Sequence, residues 1–297
     1  MSDSAIHTAQ LTKTYHGARG IIDLDLRVEA GDVFGFLGPN GAGKTTTIRL
    51  LLDHIRPTSG RASIFGMDCR RDSVEIHRIV GYLPSEFALW DDLTGAQTLE
   101  YFANLRGRVD RDFIRTLAHR FDLDLSRRFR EYSRGNKQKI GIIQAFMHRP
   151  RLLILDEPTG GLDPFNQQEF HRLVMDAREV GATIFLSSHI FGEVERVCTR
   201  VGIVRDGRLV RVAQLAELVT ERARTLELTF NTTVDPAVFA DLANIQKIHV
   251  QGNVIRLTLL GDLGPVLQRA GTYSLVNVVT QEPTLEDAFM TYYIPAP

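Results

Sequence analysis

Apolar residues in this chain fall into two kinds of run, and the difference between them divides it. In Val33-Phe34-Gly35-Phe36-Leu37, Leu152-Leu153-Ile154-Leu155 and Ile184-Phe185-Leu186 they are continuous rather than alternating. Strands without a polar face belong inside a sheet covered on both sides, so these runs predict a parallel or mixed central sheet with helices on each face. A helix from Thr45 to Leu52, stopped by Arg56-Pro57-Thr58-Ser59-Gly60, and another from Phe165 to about Val180 cover it. From about Leu93 to Met147 the period becomes helical, with Leu99, Phe102, Ala103 and Leu105 as one stripe, which predicts a helical insertion within an α/β core. Short, partly alternating strands are expected between Ala5 and Glu29, and one more at Arg61–Gly66.

Past about Arg222 the pattern changes again. Leu226–Phe230, Ile245–Val250 and Val254–Leu259 alternate, and Tyr273–Val279 reads as a final strand. Pro236–Leu242 and Leu263–Ala270 read as helices, which gives β-α-β-β-α-β, a small α+β domain of ferredoxin-like pattern. A closing helix is predicted at Pro283–Asp287, with Thr284 as cap and Asp287 completing a capping box. The expected domains are therefore 1–220, including a helical subdomain at about 93–147, and 221–297.

Composition removes several function classes. Lys and Arg total 35 against 36 Asp and Glu, so no bulk field draws nucleic acid or an acidic membrane, and no nucleic-acid partner is expected. No run approaches the roughly 18 to 20 apolar residues of a membrane span, and MSDSAIHTAQ lacks the basic start and apolar core of a signal peptide. If the protein acts at a membrane, another chain supplies the spans. Cys69 and Cys198 are outside any metal-ligand spacing and read as reduced structural thiols.

Chemistry is concentrated in Gly38-Pro39-Asn40-Gly41-Ala42-Gly43-Lys44-Thr45-Thr46, which fits G-x-x-x-x-G-K-[ST] between an apolar strand and a helix. Gly38, Gly41 and Gly43 let backbone N–H groups turn inward around an anion, and the helix N-terminus completes a phosphate site. Lys44 can reach β- and γ-phosphates, and the Thr45 hydroxyl can hold Mg²⁺, so ATP with Mg²⁺ is the expected ligand. Asp156, at the end of an apolar strand, is the candidate second metal ligand, and Glu157 the candidate base. His189 ends the next strand, within reach of a γ-phosphate. Together these features predict a P-loop NTPase sheet core of RecA-like type.

With these residues in place, the segment from about Ala5 to Ala213 resembles the nucleotide-binding subunit of ABC transporters. Tyr132-Ser133-Arg134-Gly135-Asn136-Lys137-Gln138-Lys139 stands where that family carries its LSGGQ-type signature; Ser133 and Gly135 fit, while Tyr132, Arg134 and Asn136 depart from the commonest form. The resemblance implies that Ser133, Gly135 and Asn136 contact the γ-phosphate bound by an opposite subunit. It also implies that Tyr15 stacks on adenine and that Gly161-Leu162-Asp163 is the loop through which two subunits sense each other. Gly81-Tyr82-Leu83-Pro84 aligns with the lead-in to the family's glutamine loop, but Ser85 replaces the glutamine and Glu86 follows. Either Glu86 takes over the contact to metal and water, or that contact is weakened. The tail, ending in Pro-Thr-Leu-Glu-Asp-Ala-Phe, is similar to ATPase subunits paired with a separate exporter permease, often handling drugs or antibiotics.

The resemblance thus implies an ATP-hydrolysing exporter subunit, working as a dimer on the cytoplasmic face of a membrane through its permease. A soluble ABC ATPase acting on ribosomes or DNA is a second reading, although no second cassette or long coiled coil occurs in the chain. A regulatory nucleotide-binding module with low turnover is a third, kept open by Ser85.

Overall fold

The computed structural model describes residues 4–15, 18–86, 89–107, 109–220, 224–281 and 285–286. The chain folds as two units, Met1–Ala213 and Gln214–Pro297.

In the first unit, strands β1 (Ser4–Tyr15), β2 (Ala18–Leu24) and β3 (Arg27–Glu29) precede β4 (Val33–Leu37) and helix α1 (Lys44–Leu51). β5 (Ser59–Ile64), β6 (Met67–Asp68), α2 (Ser73–Ile79) and β7 (Val80–Leu83) follow. Then come α3 (Gly95–Arg106), α4 (Arg111–Arg120) and α5 (Arg134–Phe146), the expected helical insertion. The rest is β8 (Leu152–Asp156), α6 (Pro164–Glu179), β9 (Thr183–Ser188), α7 (Phe191–Val197), β10 (Arg200–Arg205) and β11 (Arg208–Gln214).

β1 pairs antiparallel with β2, β3 and β5 in a separate sheet whose pairs, such as Ile6↔Ile64, join distant parts of the chain. The central sheet has the order β11-β10-β4-β9-β8-β7 and runs parallel from β10 to β7. Every residue of β4, β8 and β9 is buried, as their unbroken apolar runs require. Phe34 and Phe36 of β4 meet Phe185 of β9, with ring centroids 6.0 and 5.2 Å apart. In a parallel sheet all carboxyl ends lie on one edge, and here the register sets Leu37 opposite Ser188 and Asp156 opposite Ser187. Residues far apart in sequence are thereby brought to the edge where open α/β sheets bind ligands.

The helices of the insertion start at side-chain caps. Thr94 and Gln97 form a capping box on α3, Asp110 caps α4 and Ser133 caps α5.

The second unit holds α8 (Leu215–Thr220), β12 (Arg224–Phe230), β13 (Ile245–Gln251), β14 (Val254–Leu259), α9 (Gly264–Gly271) and β15 (Leu275–Gln281). Its antiparallel sheet has the order β13-β14-β12-β15, the strand order of a split β-α-β fold. Leu226, Leu228 and Phe230 of β12 and Ile255, Leu257 and Leu259 of β14 form one buried face, covered by Phe239, Val266 and Ala270. The predicted helix at Pro236–Leu242 is instead a single 3-10 turn, Pro236–Phe239. The Asp235 carboxylate accepts from the Ala237 N–H at 2.9 Å, closing the backbone into a tight turn at the start of the segment. The predicted helix at Pro283–Asp287 lies, apart from Leu285 and Glu286, outside the described residues.

Candidate active site

The loop after β4 is shaped by glycines that admit no side chain. Gly43 adopts φ +106°, and a Cβ there would come within 2.7 Å of Ile21 Cγ2. A Cβ on Gly38 would meet the Val204 carbonyl oxygen at 2.5 Å. Gly43 also stands at the N-cap of α1, where it offers no side-chain cap, so the first N–H groups of the helix stay directed at the loop. Ala42 is buried, Pro39, Asn40 and Gly41 are exposed, and Thr46 lies in the first turn of α1.

Buried Lys44 bends its ammonium back into this loop, donating to the Gly38 carbonyl at 2.7 Å and to that of Pro39 at 3.3 Å. It also forms an ion pair with Glu157 Oε1 at 3.2 Å, an electrostatic contact without hydrogen-bond alignment. Thr45 donates its hydroxyl proton to Asp156 Oδ2 at 2.8 Å, and Ser187 donates to the other oxygen of that carboxylate.

Asp156 and Glu157 are adjacent yet serve different partners. Asp156 ends β8 in extended form, whereas Glu157 turns into the left-handed region at φ +50°, which is uncommon for a non-glycine residue. The Glu157 N–H donates to the Ser187 carbonyl at 3.0 Å and fixes that turn. Glu157 Oε2 then meets His189 Nδ1 at 2.7 Å. Lys44, Thr45, Asp156, Glu157 and His189 thus form one connected cluster across β4, β8 and β9.

The remaining predicted residues group elsewhere in the first unit. Ser133 Oγ accepts from the Asn136 N–H at 3.3 Å, and Gly135 lies so close to the backbone of Gly161 that a Cβ would stand 2.5 Å from its carbonyl oxygen. Gln138 Nε2 donates to the Pro158 carbonyl at 2.8 Å, joining α5 to the loop after Glu157. Asp163 caps α6 by accepting from the Asn166 N–H at 3.0 Å, and this bond, with Asn166's side chain, holds its carboxyl below the usual range. Tyr15 ends β1, half-exposed, with the Lys13 ammonium 5.4 Å from its ring centre. Glu86 and Ser85 line a cavity of about 410 Å³ with Tyr132, Arg134, Lys137 and Gln138. Among the described residues Glu86 makes no hydrogen bond or ion pair with Thr45 or Asp156.

Sequence reasoning missed Ser187, Ser188 and Gln138 as polar groups of the site. The first two follow Leu186 at the end of a buried run, a signal that buried hydroxyls have a partner to find. It also missed the β10–β11 hairpin, although Asp206-Gly207 between alternating runs is a hairpin signal.

Comparison with known proteins fits this geometry. The family model described as ABC transporter matches residues 21–160. The bacitracin transport ATP-binding protein of Bacillus licheniformis is 34% identical over 293 residues, 96% of this chain and 96% of its own. A probable multidrug ABC transporter ATP-binding protein of Escherichia coli is 33% identical over 83% of this chain and 42% of its own. A solved ATP-binding subunit of an ABC transporter superposes with TM-score 0.68 at 30% identity, over 73% of this chain and 92% of its own. A dimeric bacterial ABC transporter cassette shares the fold, with TM-score 0.66 at 22% identity over 71% of this chain and 98% of its own. The likeness to the bacitracin transport subunit spans both units, and with it the chain belongs to the ATP-binding proteins of the ABC transporter family.

Proposed function

We propose that the chain is the ATPase subunit of an exporter, working as a dimer on the cytoplasmic face of a membrane and driving a separate permease. The observation that carries this reading is the full-length likeness to a bacitracin transport subunit, which includes the C-terminal unit. Cargo of the drug or antibiotic class follows from the same likeness, and the C-terminal unit then serves regulation or assembly.

Lys44 and the loop N–H groups bind and orient the β- and γ-phosphates, with Tyr15 stacking on adenine. An arriving γ-phosphate competes with Glu157 for the Lys44 ammonium and frees Oε1. Glu157 then takes the proton of the attacking water, while His189 holds Oε2 and aims the carboxylate. Thr45 and Asp156 would hold Mg²⁺: both present hard oxygen atoms, already 2.8 Å apart on neighbouring elements, and this ion prefers such donors. Bound there, Mg²⁺ supplies charge neutralisation on the phosphates. Ser133 and Asp163 are exposed, and Phe165 beside Asp163 is 83% exposed, which supports a second copy covering this surface.

No helix among the described residues is long and apolar enough to cross a membrane. A docking place for the permease is a cleft of about 660 Å³ lined by Val74, His77, Tyr82, Pro84, Phe102 and Leu105 among others, with Trp90 and Tyr101 exposed nearby. Co-purification from cells and reconstitution in vesicles test the reading. A membrane protein should accompany the chain and raise its ATPase rate, and Lys44→Ala should abolish the rate. Full activity alone, with no membrane protein retained, would overturn the exporter assignment.

Glu86 enters as a charge that lines one cavity with Arg134 and Lys137 of the signature helix. Glu86→Ala should therefore lower permease-stimulated ATPase by up to about 5-fold, the scale of one exposed charge removed from a basic surrounding, and more than Ser85→Ala does. The reverse ranking, measured in the same vesicles, would leave Glu86 a solvated loop charge.

A further inference from the structure

Glu193 is a carboxyl in an unusual place. It lies in the first turn of α7, facing inward, 5% exposed. The helix is clamped to the central sheet at Gly35, where a Cβ would come within 2.7 Å of Val194 Cγ1, so the carboxyl sits on a platform that cannot drift. Ser188 donates its hydroxyl proton to Glu193 Oε2 at 2.5 Å, and the same hydroxyl accepts from the Ile190 N–H at 3.0 Å. These two bonds fix the turn that carries His189. On its other side lies buried Thr159, in the loop that leaves Glu157, and Oε1 makes no hydrogen bond. The Thr159 carbonyl in turn anchors that loop by accepting from the Leu162 N–H at 3.0 Å.

We propose that Glu193 is a positioning residue for ATP hydrolysis, which as the neutral acid holds the His189 turn through Ser188 and rests against the Glu157 loop, and which on ionising becomes a buried carboxylate that repels the Glu157 carboxylate and disturbs both turns. This rests on Glu157 and His189 acting as described above. The geometry favours the neutral form because the carboxyl has one aligned donor and no cation paired with it among the described residues, and a buried carboxylate in such a place is costly. The charged and titratable groups around it are few. Glu157 on the neighbouring loop repels it, and Cys198 at the end of α7 is a buried thiol pushed far above its usual range. His189 is bonded to Glu157, Glu195 and Arg196 are on its own helix, and His171 on α6 faces Arg196. Burial, with Glu157 adding to it, lifts the Glu193 pKa to about 7 against the pull of Ser188 and Thr159.

The folded chain keeps this proton where the unfolded chain releases it, so the contribution of Glu193 to stability falls as pH rises from the ordinary glutamate range to about 7.

The test is steady-state ATPase of wild type, Glu193→Ala, Glu193→Gln and Glu157→Gln across pH, with thermal melts of each. Glu193→Ala should lower kcat by about 10- to 100-fold, the scale of a catalytic group misplaced by the order of an ångström, with KM for ATP unchanged. Glu193→Gln keeps a neutral hydrogen-bonding group and should restore most of that loss. Wild type should lose activity with an inflection near pH 7 that the Gln variant lacks, and the Gln variant should gain thermal stability over wild type as pH rises through the same range. Superimposable pH profiles for wild type and Gln, a loss confined to KM, or a folded Ala variant with wild-type kcat would each overturn the inference. Should Glu157→Gln hydrolyse ATP normally, the assignment of the base falls instead.

Discussion

Glu157→Gln is expected to bind ATP as the wild type does, to turn it over about 10²- to 10⁴-fold more slowly, and to accumulate as a closed, ATP-bound dimer. The substitution removes the proton acceptor and the charge that pairs with Lys44 at 3.2 Å, while leaving the loop of Gly38 to Gly43 and the Thr45–Asp156 pair untouched. The amide oxygen can still meet His189, so the left-handed turn at residue 157 keeps its anchor. Such a rate loss corresponds to about 3 to 5 kcal/mol of transition-state stabilisation, the share of a single general base and its charge. Light scattering with ATP and Mg²⁺ reads the dimer, and phosphate release reads the rate. Near-normal release would remove Glu157 from the role, and Asp156, engaged by Thr45 and Ser187, would have no free oxygen with which to replace it.

Much of this site was legible in the sequence, because its parts are local. Each glycine of Gly38–Gly43 answers a backbone need that no other residue meets, and the unbroken apolar run of β8 placed Asp156 at a strand end. The second unit was legible for a similar reason: Leu226, Leu228 and Phe230 alternate with polar residues, as do Ile255, Leu257 and Leu259. What stayed hidden depends on non-local geometry. The φ of +50° that parts Glu157 from Asp156 is imposed by the Ser187 carbonyl on another strand, and no residue type announces it. Glu193, in Phe191-Gly192-Glu193-Val194-Glu195-Arg196, looks like a solvated helix charge until the approach of α7 to Gly35 buries it. The destination of Glu86, beside Arg134 and Lys137, depends on how the helical insertion folds back, which periodicity does not encode.

Ser133→Arg should leave ATP binding intact, abolish ATP-driven dimerisation and lower turnover by more than about 10²-fold, the scale of a lost transition-state contact to phosphate. Ser133 is exposed at the N-cap of α5, so the substitution costs about 1 kcal/mol of capping. The helix remains anchored by buried Ile140, Ile142 and Ile143 and by the Gln138–Pro158 hydrogen bond, and the variant should fold. Lys44 and Thr45 belong to a different hydrogen-bonded cluster and keep their hold on nucleotide. Lys44→Ala should do the opposite, losing ATP affinity while presenting an intact signature. The two inactive variants then test whether the site is shared between subunits. In a mixed dimer, the Lys44 of the Ser133→Arg chain faces the wild-type Ser133 of the Lys44→Ala chain, which rebuilds one complete site. Mixing equal amounts should restore up to about half of wild-type activity, since only the mixed pair can close on ATP and each mixed dimer has one working site of two. If each chain instead completed its own site, neither subunit of the mixed dimer would hold a full set, and mixing would restore nothing.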